Sequence, residues 1–255
     1  MDYKYKLMSD KEMIFGIRAV IEAIDAGKDI DKVLIKRDLS GDLIMELLQL
    51  LRDYEIPIQK VPVERIDRIT RKNHQGVIAF TSAVTYHKLE NIVPQLYEEG
   101  KTPFILVLDG LTDVRNFGAI ARTCEVAGVD AIVIPSRGSV TVNSDAVKTS
   151  AGALHTIPVC RENSLKEAIV FLKNSGIKVV AATEKAATIY TNSDMRVPIA
   201  IVMGSEDVGI SNEHIRISDE LIKLPQFGNI QSLNVSVAAG VIIYEVLRQR
   251  REATL

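Results

Sequence analysis

The sequence predicts an α/β protein whose main sheet is parallel and covered by helices on both faces. Apolar runs of strand length alternate with amphipathic helical stretches over most of the 255 residues. In the second half the strand candidates, such as FILVLD (104–109) and IAIVMG (199–204), are almost continuously apolar, which is typical of parallel strands buried on both faces. Polar clusters follow several of these strands, where open α/β sheets bind their ligands.

Composition and charge limit the classes of function. Hydrophobic residues make up 47% and charged residues 25% of the chain, as in soluble globular proteins. The 31 Lys and Arg nearly balance the 33 Asp and Glu, so any affinity for RNA must come from a local patch. Cys124 and Cys160 have no Cys or His neighbours at ligand spacing, so neither a disulfide framework nor a metal site is predicted. No membrane span or secretory signal is recognised, so we expect a cytoplasmic protein without a membrane partner.

The first third of the chain predicts a small α/β domain at residues 13–84, after a tail at residues 1–12. Apolar residues recur at helical spacing from Ile14 to Ala26, and Gly27 closes this predicted helix. The segments that follow alternate between strand and helix: a strand at 31–37, a helix at 42–55, a strand at 56–61, a short helix at 63–70 and a strand at 76–84.

The rest of the chain predicts a linker with a first helix at 85–102 and a larger domain at 103–255. Its strands are predicted at 104–109, 131–135, 178–183, 199–204 and 220–225, with helical stretches between them. The last helix, about 233–250, is apolar over much of its circumference, so we expect it to be buried or to contact another subunit. No G-x-G-x-x-G follows a strand, which argues against a dinucleotide-binding enzyme.

Three polar segments follow predicted strands of the larger domain. In the first, at 108–128, a helix is expected to begin near Asn116, and Gly118 lies four residues before Arg122, which predicts open space above the guanidinium. In the second, at 201–211, Glu206 lies in a turn, and Ser211 is an expected N-cap. The third, at 224–240, leads through Ser232 and Asn234 into the last helix. Taken singly, the residues of the first and third segments are better explained as helix caps and a solvated cation, and a simple connecting turn is an equal alternative for the second.

Taken together, the three segments resemble the SpoU (TrmH-like) branch of the SPOUT methyltransferases. The matching motifs are N-x-G-x-x-x-R at 116–122, MGSE-x-x-G at 203–209 and S-L-N-V-S at 232–236. In addition, FGIRAVIEAI (15–24) and NHQGVIAF (73–80) look like the L30e-like substrate-binding domain of one subgroup. That subgroup methylates a guanosine in the peptidyl-transferase region of 23S rRNA. The resemblance therefore implies 2'-O-methylation of an RNA ribose by S-adenosylmethionine, in a homodimer with a C-terminal trefoil knot.

The resemblance also implies roles for particular residues. The cofactor pocket would be lined by Thr183, Gly204, Ile222, Leu224, Ser232, Leu233 and Asn234. The catalytic set would be Asn116, Arg122, Glu206, Ser232 and Asn234, with Arg122 presented to the cofactor of the partner subunit. Because a guanidinium is effectively always protonated, we hypothesise that Arg122 binds substrate phosphate and stabilises the developing oxyanion, while the proton passes to phosphate or water.

A candidate RNA-binding patch lies in the smaller domain. The cationic residues of one short helix and the loop after it fall on one side: Arg65, Arg68, Arg71, Lys72 and His74. Glu64 and Asp67 dilute this patch, so an ordinary solvated helix is an equal alternative. Other functions remain open at this point: methylation of tRNA, a non-catalytic RNA-binding protein of the same fold, and a doubly wound small-molecule enzyme.

Overall fold

A computed structural model of the chain describes residues 13–229 and 232–252. The chain divides into two compact units, with the boundary between Thr85 and Tyr86. Of the helices in the described residues, none is both long enough and apolar enough to cross a membrane. The predicted tail at residues 1–12 lies outside the described residues.

The first unit is built on a small mixed sheet. In chain order its elements are β1 (Met13–Phe15), α1 (Ile17–Asp25), β2 (Ile30–Lys36), α2 (Asp42–Asp53), β3 (Ile58–Val61), α3 (Val63–Ile69) and β4 (Val77–Thr81). Among the described residues these strands form a four-stranded sheet in the order β1-β4-β2-β3. β4 is antiparallel to both of its neighbours, and β2 is parallel to β3. The helices α1 and α2 pack together over this sheet, as the predicted small α/β domain requires.

The predicted helix from Ile14 begins too early. Residues 13–15 form β1, which pairs with β4, and the helix starts only at Ile17. Gly16 separates the two elements with φ of 90°, a conformation that favours glycine. Ile14 fits the apolar spacing of the helix, but its main chain hydrogen-bonds to β4 instead. This tertiary contact therefore overrides local periodicity.

The second unit contains the larger sheet. Its strands are β5 (Tyr86–His87), β6 (Phe104–Asp109), β7 (Ala131–Pro135), β8 (Val159–Glu162), β9 (Lys178–Ala182), β10 (Thr188–Ile189), β11 (Ile199–Gly204) and β12 (Glu220–Lys223). Its helices are α4 (Leu89–Glu98), α5 (Val114–Ala127), α6 (Ser144–Thr149), α7 (Leu165–Asn174), α8 (Asn212–Ile217) and α9 (Val235–Glu252). Over the described residues the strand order is β10-β12-β9-β11-β6-β7-β8-β5, and all neighbouring pairs are parallel.

This arrangement confirms the prediction of an α/β fold around a parallel sheet. The central strands β6 and β11 are buried along almost their whole length, as their continuous apolar sequences predicted. The strands β5, β8 and β10 were not predicted from the sequence. Two of these contain only two residues, too few for any periodicity to be recognised. The trefoil knot implied by the resemblance stays a prediction.

The C-terminal turn of the last helix is fixed to the edge of the sheet at which β6 and β11 begin. The Arg250 guanidinium donates hydrogen bonds to the main-chain oxygens of Thr102, Pro103 and Val197, at 2.9–3.0 Å. Its centre also lies 5.3 Å from the centroid of the Phe104 ring. A charged donor bonded to several carbonyls is a strong contact, so Arg250 holds α9 against the starts of β6 and β11.

Candidate active site

A cleft of about 540 Å³ opens at the carboxyl edge of the larger sheet. Its walls come from the segments that follow β9, β11 and β12, which are neighbours in the sheet, and from the first turns of α9. Met203, Leu224 and Ile242 supply apolar surface, while three carboxylates line it at Glu184, Glu206 and Asp207. Among the described residues that line the cleft there is no Lys or Arg. The cleft therefore suits a small ligand that is partly apolar and carries positive charge.

The turn after β11 forms one wall of this cleft and depends on Gly204. A Cβ atom at Gly204 would lie 2.0 Å from the carbonyl carbon of Gly209, so a side chain has no room there. The turn is closed by the hydrogen bond from the Gly209 amide to the Ser205 oxygen, at 2.9 Å. Gly209 itself has φ of 72°, which favours glycine. The turn therefore presents Glu206 at its tip.

The side chain of Glu206 contacts two other predicted catalytic side chains. Its Oε1 atom accepts hydrogen bonds from Asn234 Nδ2 at 2.5 Å, from the Val235 main-chain amide at 3.0 Å and from Asn116 Nδ2 at 3.3 Å. Asn234 Nδ2 also donates to Asn116 Oδ1 at 3.0 Å. We call Asn116, Glu206 and Asn234 the amide cluster. It joins three segments that are distant in sequence, at the rim of the cleft.

The amide cluster also caps helix α9. Asn234 Oδ1 accepts from the Ser236 amide at 3.0 Å, and the Glu206 carboxylate accepts from the Val235 amide. Both acceptors satisfy amides that have no partner within the helix. A negative charge at a helix N-terminus is also favoured by the helix dipole, so the cap and the cluster stabilise each other.

The structure corrects two interpretations of the first polar segment. Asn116 does not cap α5, because the cap is Asp113, whose Oδ1 accepts from the Asn116 amide at 2.7 Å. The space above Gly118 is not open: a Cβ atom there would lie 2.6 Å from Thr149 Cβ. The missing side chain at Gly118 thus lets α6 pack closely on α5. Arg122 is exposed and lies outside the amide cluster, without a hydrogen bond or ion pair to the residues described.

The residues expected to bind the cofactor mostly surround the cleft. Thr183, Gly204, Leu224, Ser232 and Leu233 line it. Ile222 is fully buried in β12, and its carbonyl oxygen accepts from the Thr183 amide at 2.8 Å. Ile222 therefore fixes the start of the turn after β9 through its main chain and does not line the cleft. Asn234 is not among the residues that line the cleft, and its side chain belongs to the amide cluster.

The predicted cationic patch lies in the first unit. Arg68, Arg71 and Lys72 are exposed, and Arg65 is half-buried. His74 differs from them: only 13% of its side chain is exposed. Its Nδ1 accepts from the Gly76 amide and its Nε2 contacts Asp67 Oδ1, both at 2.9 Å. The His74 ring therefore fixes the loop after α3 through internal bonds.

Two residues that no sequence pattern marked as functional lie next to the turn that carries Glu206: Asp109 and His214. Asp109 ends β6, and its Oδ2 lies 2.7 Å from His214 Nδ1 at the start of α8. An aspartate at the end of a buried strand was a usable signal. Its partner, 105 residues away, was not foreseeable. The predicted N-cap Ser211 is confirmed, since its Oγ accepts from the His214 amide.

The fold and the cleft define an α/β protein that binds a small ligand at the carboxyl edge of a parallel sheet. Sequence comparison identifies the family. A model of the SpoU rRNA Methylase family matches residues 103–244, and a model described as RNA 2'-O ribose methyltransferase substrate binding matches residues 13–87. The chain belongs to the SpoU rRNA Methylase family. The predictions of this family and of an RNA 2'-O-ribose methyltransferase are thereby confirmed.

Individual relatives match nearly the whole chain. A Staphylococcus saprophyticus protein assigned to the TrmH family of tRNA/rRNA methyltransferases is 38% identical over 238 residues, covering 93% of this chain and 96% of its own. The Bacillus subtilis protein YacO, assigned likewise, is 36% identical, with coverages of 94% and 96%. The solved AdoMet-bound rRNA methyltransferase from Sinorhizobium meliloti is 27% identical with a TM-score of 0.59, covering 92% of this chain and 86% of its own. These findings support S-adenosylmethionine as the cofactor.

Proposed function

We propose that this protein methylates the ribose 2'-hydroxyl of a guanosine in the peptidyl-transferase region of 23S rRNA, with S-adenosylmethionine as the methyl donor. The observation that carries the proposal is the amide cluster, because it brings Asn116, Glu206 and Asn234 together at the rim of a ligand-sized cleft. The nucleotide and the ribosomal target depend on the resemblance of the first unit to one subgroup. The names of the relatives include tRNA beside rRNA, so tRNA is the second candidate substrate.

The chemistry of the cleft supports this cofactor. Its volume of about 540 Å³ falls within the range of small-ligand sites. The carboxylates of Glu184, Glu206 and Asp207 favour a cationic ligand, and they disfavour the phosphates of a dinucleotide. Met203, Leu224 and Ile242 offer apolar surface to an adenine ring. When bound, S-adenosylmethionine supplies an electrophilic methyl group on a positively charged sulfur.

The remaining steps belong to residues of the chain. A ribose hydroxyl is a poor nucleophile, so it must be aligned and must lose its proton. Asn116 and Asn234, held by Glu206, orient the ribose, and Ser232 completes the loop beside them. Arg122 binds the substrate phosphate and stabilises negative charge on the 2'-oxygen, while the proton passes to phosphate or water. A large rate loss in Arg122→Lys with an unchanged pH-rate profile is the expected result, and an arginine-dependent basic limb would contradict this role.

A homodimer would allow Arg122 to act, since it lies outside the amide cluster of its own subunit. Helix α9 exposes Val237, Val241 and Tyr244, which are spaced three and four residues apart and so share one face. An apolar row of this kind is typical of a subunit contact. We expect the two subunits to pair through this face, so that Arg122 of one subunit reaches the cleft of the other.

Subunit mixing tests this arrangement. Arg122→Ala and Glu206→Ala, each inactive alone, are co-expressed with different tags and purified together. Random pairing leaves one intact site in half of the dimers, so about a quarter of the wild-type rate should return. If both residues act within one subunit, the mixture stays inactive.

The cationic patch of the first unit would contribute to RNA binding. Arg68, Arg71 and Lys72 are exposed and suited to phosphate contacts. Arg65 and His74, which are only partly exposed, would fix the conformation of the patch. Affinity for RNA should therefore fall with salt in the wild type, and less steeply in a variant with Arg68, Arg71 and Lys72 replaced by glutamine. Equal salt dependence would remove these residues from the interface.

The function is tested by methyl transfer from tritiated S-adenosylmethionine to unmodified 23S rRNA and, separately, to unmodified tRNA, followed by mapping of the label. We expect label on one guanosine ribose of 23S rRNA. Label on tRNA alone would favour the second candidate. Cofactor binding without transfer to either RNA would contradict both substrates, while Arg122→Ala and Glu206→Ala serve as inactive references.

A further inference from the structure

Asp109 fixes both ends of the segment that carries Glu206. Its main-chain oxygen accepts from the Ser205 amide at 3.1 Å. Its Oδ2 accepts from the Ser211 amide at 2.8 Å and lies 2.7 Å from His214 Nδ1. Residues 205–211 therefore leave and rejoin the sheet at a single residue, and the turn with Glu206 extends between these two anchors.

The pair formed by Asp109 and His214 is shielded from water. Their side chains are 15% and 12% exposed, respectively, and neither lines the cleft. A poorly hydrated carboxylate requires hydrogen bonds, and those to a charged acceptor are stronger than neutral ones. The two donors at Asp109 Oδ2 meet this need. Because a side chain at Gly204 has no room, the turn is confined from its other side as well.

We propose that Asp109 and His214 are positioning residues for methyl transfer. They hold residues 205–211 so that the Glu206 carboxylate meets the side-chain amides of Asn116 and Asn234. The inference rests on the proposed function in one respect, namely that the amide cluster acts on the ribose. It adds a pair of residues from β6 and α8 that lie outside the cleft and hold the segment carrying Glu206.

The test is a double-mutant cycle in the full-length protein. Asp109→Asn keeps an acceptor oxygen but removes its charge, and His214→Leu removes one donor while keeping bulk. Each should lower kcat by roughly 10- to 100-fold at saturating cofactor and RNA, the effect of losing hydrogen bonds to a charged group. The double variant should be little worse than the poorer single variant, because both changes break one unit. His214→Asn, whose side-chain amide can occupy the position of Nδ1, should recover much of the loss.

Asp130→Asn is the matched control. Asp130 Oδ2 accepts from the Phe104 amide at 2.8 Å, at the opposite end of the same strand. This change removes the charge from a comparable bond and should lower the unfolding midpoint, yet leave kcat near the wild-type value. If Asp109→Asn and His214→Leu lose stability as Asp130→Asn does while keeping wild-type kcat, the pair is merely structural and the inference is wrong.

A spectroscopic readout separates this inference from the proposed function. The side-chain amide resonances of Asn116 and Asn234 report the geometry of the cluster without any RNA present. We expect them to move in His214→Leu, to return in His214→Asn and to stay in place in Asp130→Asn. Unmoved resonances would overturn the inference. If the wild-type protein methylates no RNA but the resonances of the variants change as expected, only the proposed function is contradicted. If Asp109→Asn does not fold, the His214 variants carry the test.

Discussion

Replacing Glu206 by glutamine should slow methyl transfer strongly without unfolding the protein. Glu206 Oε1 accepts from two side-chain amides and one main-chain amide, and glutamine keeps the shape but removes the charge. Hydrogen bonds to a charged acceptor contribute about 1.5–3 kcal/mol each. Because Glu206 is exposed, water replaces part of what is lost. We therefore expect a total loss of roughly 2–3 kcal/mol in the transition state, a reduction in kcat of about 30- to 150-fold.

The assay is single-turnover methyl transfer at saturating labelled cofactor, with cofactor affinity measured separately by calorimetry. Glu206→Ala should be slower still, since it also removes the acceptor oxygen from the Val235 amide. Glu98→Gln makes the same change of charge at an exposed position on α4 and should leave the rate unchanged. A rate for Glu206→Gln within threefold of wild type would refute the view that its carboxylate organises the cluster.

Three further results are expected. In Gly204→Ala the Cβ of the alanine would overlap the main chain at Gly209. We therefore expect no cofactor binding in calorimetry and a fold destabilised by at least about 1–3 kcal/mol, and a wild-type affinity would contradict this. Arg250→Ala, which loses bonds to three carbonyls, should lower the thermal unfolding midpoint clearly more than Arg251→Ala, an exposed neighbour. Burial raises the pKa of the Cys160 thiol to about 12, so at pH 8 iodoacetamide should alkylate it only in denaturant, whereas rapid labelling of native protein would count against a closed core.

The fold could be predicted largely because its strands are long and apolar. The sequences at 104–109 and 199–204 define the two central strands correctly, since burial on both faces removes any alternation. β10 has two residues and forms through its pairing with β12, which no local pattern encodes. The early start of the first predicted helix has the same origin, because β1 exists only through its pairing with β4.

The candidate site could be predicted in its members but not in its contacts. The motifs pointed to Asn116, Glu206 and Asn234, yet the hydrogen bonds among them span up to 118 residues of sequence. Gly118 shows the limit clearly. The spacing to Arg122 suggested open space above the guanidinium, whereas Thr149 occupies the position. Helical periodicity gives the face of a residue, but it cannot identify which other element covers that face.

The charges that line the cleft suit one of its two expected ligands and not the other. The cleft is lined by carboxylates at Glu184, Glu206 and Asp207, which attract a sulfonium and repel the phosphates of RNA. A net charge of -2 gives no general attraction to compensate. We therefore expect the RNA to be held by cations outside the cleft, and we propose that Arg122, which is exposed, is one of them. On this proposal the acidic cleft binds the cationic methyl donor and cations outside it bind the RNA, so that two ligands of opposite charge would occupy separate surfaces and neither would displace the other.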